Sequence, residues 1–281
     1  MATELRALLP ADVEAADGVL RAAYGGGSRR DRLERYMALQ PDGWMLAEAD
    51  GEVAGVAGAM HYGPLAYIGL VGVSPAFRRR GIALALMQYL LAWLAERGDP
   101  VVVLEASPSG APLYEKLGFI DDGHTISFEF EGPPRQHPPA PGVQPLTPAD
   151  LPDIAAFDAP IFGAARQPVF ELLLREEPAR AFVLRDGEGQ VAGFLFAQSD
   201  KLGPWAATSP AAAEALLAAA LALRYSAGPY VLAPGNNPNI APLLVRHGFV
   251  AVRALRHMHL GGDRSPGQAA LLYGRASFAI G

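Results

Sequence analysis

Three arginines and a glycine, Arg78, Arg79, Arg80 and Gly81, stand between an apolar run ending at Val73 and a segment of helical periodicity. Guanidinium groups are fork-shaped donors matched to phosphate oxygens. The segment behind them puts Ile82, Leu86, Tyr89, Leu90 and Trp93 on one helical face, so the turn opens a helix. At a helix start the first backbone N–H groups lack internal partners and the dipole adds partial positive charge. Gly81 lets a ligand approach the backbone where a Cβ would stand in the way. Together these features describe an anion cradle for a pyrophosphate. The turn lacks the Gly-Lys-Ser/Thr ending of a Walker-type loop and the three glycines of a dinucleotide fingerprint.

The elements around the turn read in order from the chain. A strand over Glu4–Leu9 precedes a helix opened by Pro10-Ala11-Asp12, a break at Gly25–Gly27 and a second helix over Arg30–Leu39. Trp44–Ala49 and Val53–His61 flank Asp50-Gly51, a strong hairpin signal. Leu65–Val73 reads as a further strand running into the arginine turn, and its helix stops at Arg97-Gly98. Val101–Ala106 then reads as a buried strand, Gly110–Leu117 as a short helix and Ile126–Phe130 as a last strand. Glu131–Gly142 holds five prolines and two glycines, the composition of a semi-rigid linker.

Beyond the linker the sequence starts again. Pro148-Ala149-Asp150 echoes Pro10-Ala11-Asp12, and Asp186-Gly187-Glu188 before Val191-Ala192-Gly193 echoes Asp50-Gly51-Glu52 before Val53-Ala54-Gly55. Ala241-Pro242-Leu243 with Gly248-Phe249 echoes Ala111-Pro112-Leu113 with Gly118-Phe119. Three echoes in one order at similar offsets mean two copies of one fold. The expected organisation is a catalytic domain over 1–130, the linker over 131–142, a degenerate copy over 143–261 and a tail over 262–281. The copies differ where chemistry would sit. Opposite the arginine turn stands Thr208-Ser209-Pro210-Ala211, a helix start with Ser209 as cap, and opposite Tyr114 stands Leu244. Asn236, Asn237 and Asn239 could serve a ligand of the second copy or make the turn before a helix over Asn239–His247.

Composition narrows the classes. At 281 residues the chain is long for one domain and comfortable for two. A net charge of −6 argues against a nucleic-acid binder. With no cysteine, disulfides, thiolate zinc sites and a cysteine nucleophile are excluded. No signal-peptide pattern opens the chain, and the run Ala211–Leu223 is too short to span a bilayer, so a soluble cytoplasmic protein is expected. His257 and His259 alternate on a late strand without a third ligand, so they read as outward histidines and no metal site is expected.

The spacing Arg78-x-x-Gly81-x-Ala83 resembles the Arg/Gln-x-x-Gly-x-Gly/Ala signature of the GNAT (Gcn5-related) N-acetyltransferases. Leu113-Tyr114-x-x-x-Gly118-Phe119 is similar to that family's Leu-Tyr-x-x-x-Gly-Phe motif, and the element order over about 130 residues matches its fold. Gly203-Pro204-Trp205, Arg256-x-Met258-x-x-Gly261 and the tail Leu271–Ile280 resemble a bacterial tandem group within it. The resemblance implies an α/β chain of two tandem GNAT-fold domains, each a mixed, mostly antiparallel sheet flanked by helices. It implies acetyl-CoA as co-substrate, its pyrophosphate on Arg78, Arg79, Arg80, Gly81, Ile82 and Ala83. The pantetheine arm would pair with Val71 and Val73, and an N–H near Leu70 or Val71 would face the thioester oxygen. Tyr114 becomes the candidate acid, since a phenol with pKa about 10 can donate to a thiolate of about 8.5. For the amine's proton, Glu105 ranks ahead of Glu48 and His61, with an ordered water chain as an alternative. The reading is an N-acetyltransferase for a small primary amine, monomeric or homodimeric, without nucleic-acid or membrane partners. The rival is a non-catalytic acyl-CoA-binding or regulatory protein.

Overall fold

The computed structural model describes residues 3–98, 100–132 and 142–281, so most of the expected linker, 133–141, lies outside the described residues. In chain order the first elements are β1 (Glu4–Ala7), α1 (Val13–Tyr24), α2 (Arg30–Leu39), β2 (Trp44–Ala49), β3 (Glu52–His61), β4 (Leu65–Val73), α3 (Ile82–Ala95), β5 (Val101–Ala106), α4 (Ala111–Lys116) and β6 (Ile120–Phe130). The succession then repeats: β7 (Val143–Pro145), α5 (Leu151–Phe162), α6 (Gln167–Glu176), β8 (Ala181–Arg185), β9 (Val191–Ala197), β10 (Lys201–Ala207), α7 (Pro210–Leu221), β11 (Tyr230–Pro234), α8 (Ile240–Arg246) and β12 (Phe249–Leu260). A short β13 (Leu272–Gly274) closes the series. The echoed residues make echoed bonds. The Ser74 amide donates to Ala54 O and the Thr208 amide to Ala192 O, each at 2.9 Å. The echoed aspartates are each held by an arginine from a different strand, Asp12 by Arg6 of β1 at 2.6 Å and Asp150 by Arg185 of β8 at 2.8 Å.

The contacts divide the chain into two compact units, residues up to Leu104 with Ile280, and Glu105–Ala279 with Gly281. In the first unit the strands lie in the order β1-β2-β3-β4-β5, antiparallel except for β4 beside β5. Two glycines let helices close onto this sheet. A Cβ on Gly55 would press on Ile82 and Leu86 of α3, while one on Gly72 would press on Leu20 and Ala23 of α1. Gly72 stands opposite Val56, the neighbour of Gly55, so the two helices cover opposite faces. Trp44, Leu46, Leu20, Leu33, Leu86 and Leu90 fill the interior without solvent contact. Burying side chains of this size stabilises by about 1.5–3 kcal/mol each.

The second unit carries the order β12-β6-β11-β10-β9-β8-β7, with β13 on β10. Here the repeat read from sequence and the compact unit part company. β11 pairs with β6, the terminal strand of the first copy, from Tyr230↔Glu129 to Pro234↔Thr125. β12, the terminal strand of β11's own copy, pairs with the other edge of β6. A boundary at residue 130 therefore does not describe the compact units, because β6 finds its backbone partners among residues of the second copy. Trp205, Leu216, Leu217, Val231, Leu243 and Tyr273 belong to one core there.

Candidate active site

In the first unit β4 and β5 pair in parallel only from Leu65↔Val101 to Ile68↔Leu104. β4 continues to Val73 past the end of that ladder, leaving a fork. A bulge marks the same place: Gly69 stands opposite Gly58 and Gly72 opposite Val56, so Leu70 and Val71 share Ala57. Leu70 has φ +54°, a left-handed conformation that costs a non-glycine residue on the order of 1 kcal/mol and concentrates at functional sites. The Ser74 amide points to β3, where it bonds Ala54 O. By strand alternation the main chain of Val73 and Val71 faces the open side. Their carbonyls are engaged there, Val71 O by the Tyr24 hydroxyl at 2.8 Å and Val73 O by Arg78 Nε at 3.4 Å.

The three arginines have separate surroundings. Arg78 folds back, its second donor reaching Ala23 O at 3.2 Å. Arg80 pairs with Asp50 at 2.8 Å and lies over the Phe77 ring. Arg79, exposed and at φ +63°, makes no ion pair among the described residues. Gly81, at φ +81°, precedes α3 with no side-chain cap, and a Cβ there would meet nothing within 4 Å. The amides opening α3 at Ile82 and Ala83 thus face a gap with no capping side chain in it. Such a start suits an anion.

Tyr114 and Glu105 belong to the second unit. The Tyr114 ring is buried beside Phe119, with centroids 6.0 Å apart, and its hydroxyl makes no hydrogen bond among the described residues. Burial pushes the phenol up to about 12. Glu105, the residue after the last β4–β5 pair, has a side chain wholly shielded from solvent. Its carboxylate receives His257 Nδ1 at 2.9 Å and lies 3.4 Å from Arg275 Nε. Burial alone would favour its neutral form, yet His257, Arg275 and Thr125 together hold its pKa below the ordinary carboxylate range. A carboxylate so enclosed and engaged would exchange a proton with an incoming amine only through an intervening group or water. The expectation for the histidines is corrected: His257 and His259 are buried rather than outward. His257 Nε2 meets Ser265 Oγ at 3.2 Å, and Asp122 accepts the Ser265 amide at 2.8 Å. Glu105 and His257 are 152 positions apart in sequence, and no local spacing announces the pair.

The second copy repeats the fork and fills it. β10 and β11 pair only at Lys201↔Tyr230 and Leu202↔Val231, and the β9–β10 register shifts between Leu202 and Trp205. β13 lies against β10 beyond that point, at Trp205↔Gly274 and Ala206↔Leu272. The Arg275 amide donates to Leu232 O of β11, and Asn237 Nδ2 holds Leu272 O, each at 2.9 Å. A Cβ on Gly203 would collide with the Arg275 carbonyl, so this glycine is what admits the tail. Trp205 packs on Tyr273 at 5.2 Å. At the helix start Ser209 Oγ accepts the Ala212 amide at 3.2 Å, the cap expected from sequence. Asn239 precedes α8 and its amide bonds Asn237 Oδ1, so the asparagines build a turn.

In the first copy, then, an open parallel fork with a bulge leads into an uncapped, glycine-led helix. Residues 15–119 match the acetyltransferase (GNAT) family and residues 154–274 an acetyltransferase (GNAT) domain, and the chain belongs to this family. It is 37% identical over 101 residues to an acetyltransferase of Photorhabdus laumondii, covering 35% of this chain and 70% of that protein. It is 28% identical over 194 residues to the holothin acyltransferase of a Pseudoalteromonas species, covering 67% of this chain and 64% of the relative. A solved acetyltransferase-class structure from Pyrococcus horikoshii superposes with a TM-score of 0.85 at 27% identity, covering 99% of this chain and 96% of the other. Among the described residues no helix is long and apolar enough to cross a membrane.

Proposed function

We propose that the chain is an acetyl-CoA-dependent N-acetyltransferase that acylates the primary amine of a small molecule by direct transfer. The first copy, with its boundary near residue 130 as a sequence unit, holds the co-substrate, and the second is a scaffold that holds none. The observation that carries this reading is the open fork at Leu70–Val73 leading into the uncapped turn at Gly81. When bound, acetyl-CoA supplies the acetyl group as a thioester. Leu70, Val71 and Val73 line the path of its arm, and Arg78, Arg79, Arg80, Gly81, Ile82 and Ala83 grip its pyrophosphate. A small acceptor is supported by a relative named for holothin, with which this chain aligns over 194 residues.

Tyr114 supplies the acid. With its pKa pushed up to about 12, the phenol stays protonated across the working range. Full transfer to a thiolate of about 8.5 is then uphill unless the thiolate is desolvated too. The role that follows is donation of a hydrogen bond to the departing sulfur, with the proton crossing as the thiolate loses its own hydration. The ammonium proton of the acceptor leaves through water, since Glu105 is sealed.

A screen of CoA release over small amines and peptides tests the proposal, with calorimetry of CoA binding alongside. Turnover with a small amine is expected. Tight CoA binding with no release for any acceptor would favour the non-catalytic rival, and no binding at all would remove both.

A further inference from the structure

Tyr24 is the last residue of α1, and its hydroxyl donates to Val71 O at 2.8 Å on the open side of β4. Its ring lies across Gly72, where a Cβ would stand 3.7 Å from the ring edge. The Arg29 guanidinium covers the ring at 5.3 Å from its centroid. Immediately beyond come Gly25, Gly26 and Gly27, the first two at φ +72° and +77°, with no side chain to bar a change of backbone angle. The next open carbonyl, Val73 O, carries only the longer 3.4 Å contact from Arg78.

We propose that Tyr24 is a positioning residue that latches the fork, holding the hydrogen-bond site on Val71 that the amide-bearing arm of a pantetheine thioester must take. This rests on the function proposed above. An unpaired strand edge exposes polar groups that invite any extended chain, and the phenol satisfies the Val71 carbonyl until the arm arrives. Binding exchanges one hydrogen bond for another, so the Tyr24 bond is lost from the net affinity. The glycine run gives the ring somewhere to go, and Arg29 moves with it or releases it.

The sign of one substitution decides the matter. Tyr24→Phe keeps the ring over Gly72 and removes only the competing donor. Calorimetry on the full chain should show acetyl-CoA binding tightened about 2–10-fold, the worth of one net hydrogen bond. Adenosine 3′-phosphate 5′-diphosphate, which carries the phosphates but no arm, serves as the second probe, and its affinity should not change. An acetyl-CoA affinity that is unchanged or weaker in Tyr24→Phe overturns the latch. So does an equal shift for both probes, which would place the effect at the arginine turn. Failure of the unsubstituted protein to bind either probe strikes the proposed function instead, so the two failures are told apart.

Discussion

The forks between β4 and β5 and between β10 and β11 begin alike, with a short parallel ladder and a register break in the strand before the helix. They end differently. In the first copy the strand edge past the break is met by the side chains of Tyr24 and Arg78, and the following helix opens on a glycine with no side-chain cap. In the second, β13 takes the edge as a strand would, and Ser209 caps the following helix. In the second copy the Arg275 amide donates to Leu232 O, and Ser209 Oγ accepts the Ala212 amide. One scaffold thus carries two different edges, one met by side chains and the other by the chain's own tail.

The largest expected effect probes the pair Tyr114 and Leu244. Tyr114→Phe should slow CoA release on the order of 100-fold or more, the range for loss of a general acid, while leaving CoA affinity unchanged. Because the acid acts in its protonated form and burial holds that form up to about 12, the unsubstituted enzyme should show no alkaline loss from this group below that pH. A pH–rate profile that falls near 10 would break the assignment.

The tail is next. Tyr273→Ala empties a buried site against Trp205 and should cost about 3 kcal/mol of stability, read by chemical denaturation. If β13 substitutes for a ligand only in the second copy, the folded variant should bind CoA at the first fork as before, at one per chain.

Gly81→Val places a β-branched residue at φ +81° in the cradle, and CoA affinity should fall on the order of 100-fold, about 2.7 kcal/mol, by calorimetry. The matching substitution in the second copy sharpens the contrast. Ser209→Ala should cost about 1 kcal/mol in thermal or denaturant stability and leave CoA binding untouched. A cofactor effect from Ser209→Ala would mean the second cradle is in use.

Much of this was legible in the chain. The arginine turn, the short helix bearing Tyr114, the Ser209 cap and the tandem copies follow from residue types at local spacing, because caps, hairpins and amphipathic periods are local physics. The bulge was not legible, since Leu70 has no preference for a left-handed turn and adopts it because β4 is held to β3 on either side of it, at Gly69↔Gly58 and Gly72↔Val56. Nor was the burial of His257 and His259, which alternation alone cannot orient.

The sequence by itself determined two copies of one fold, with an arginine turn before a helix in the first and a serine-capped helix start in the second, because each of those features lies within a few turns of chain. Only the tertiary structure decided that β6 pairs with β11, that the tail fills the second fork and that Glu105 is sealed by His257 and Arg275. Backbone edges and buried charges take whichever partner the completed fold brings, and here those partners come from far along the chain.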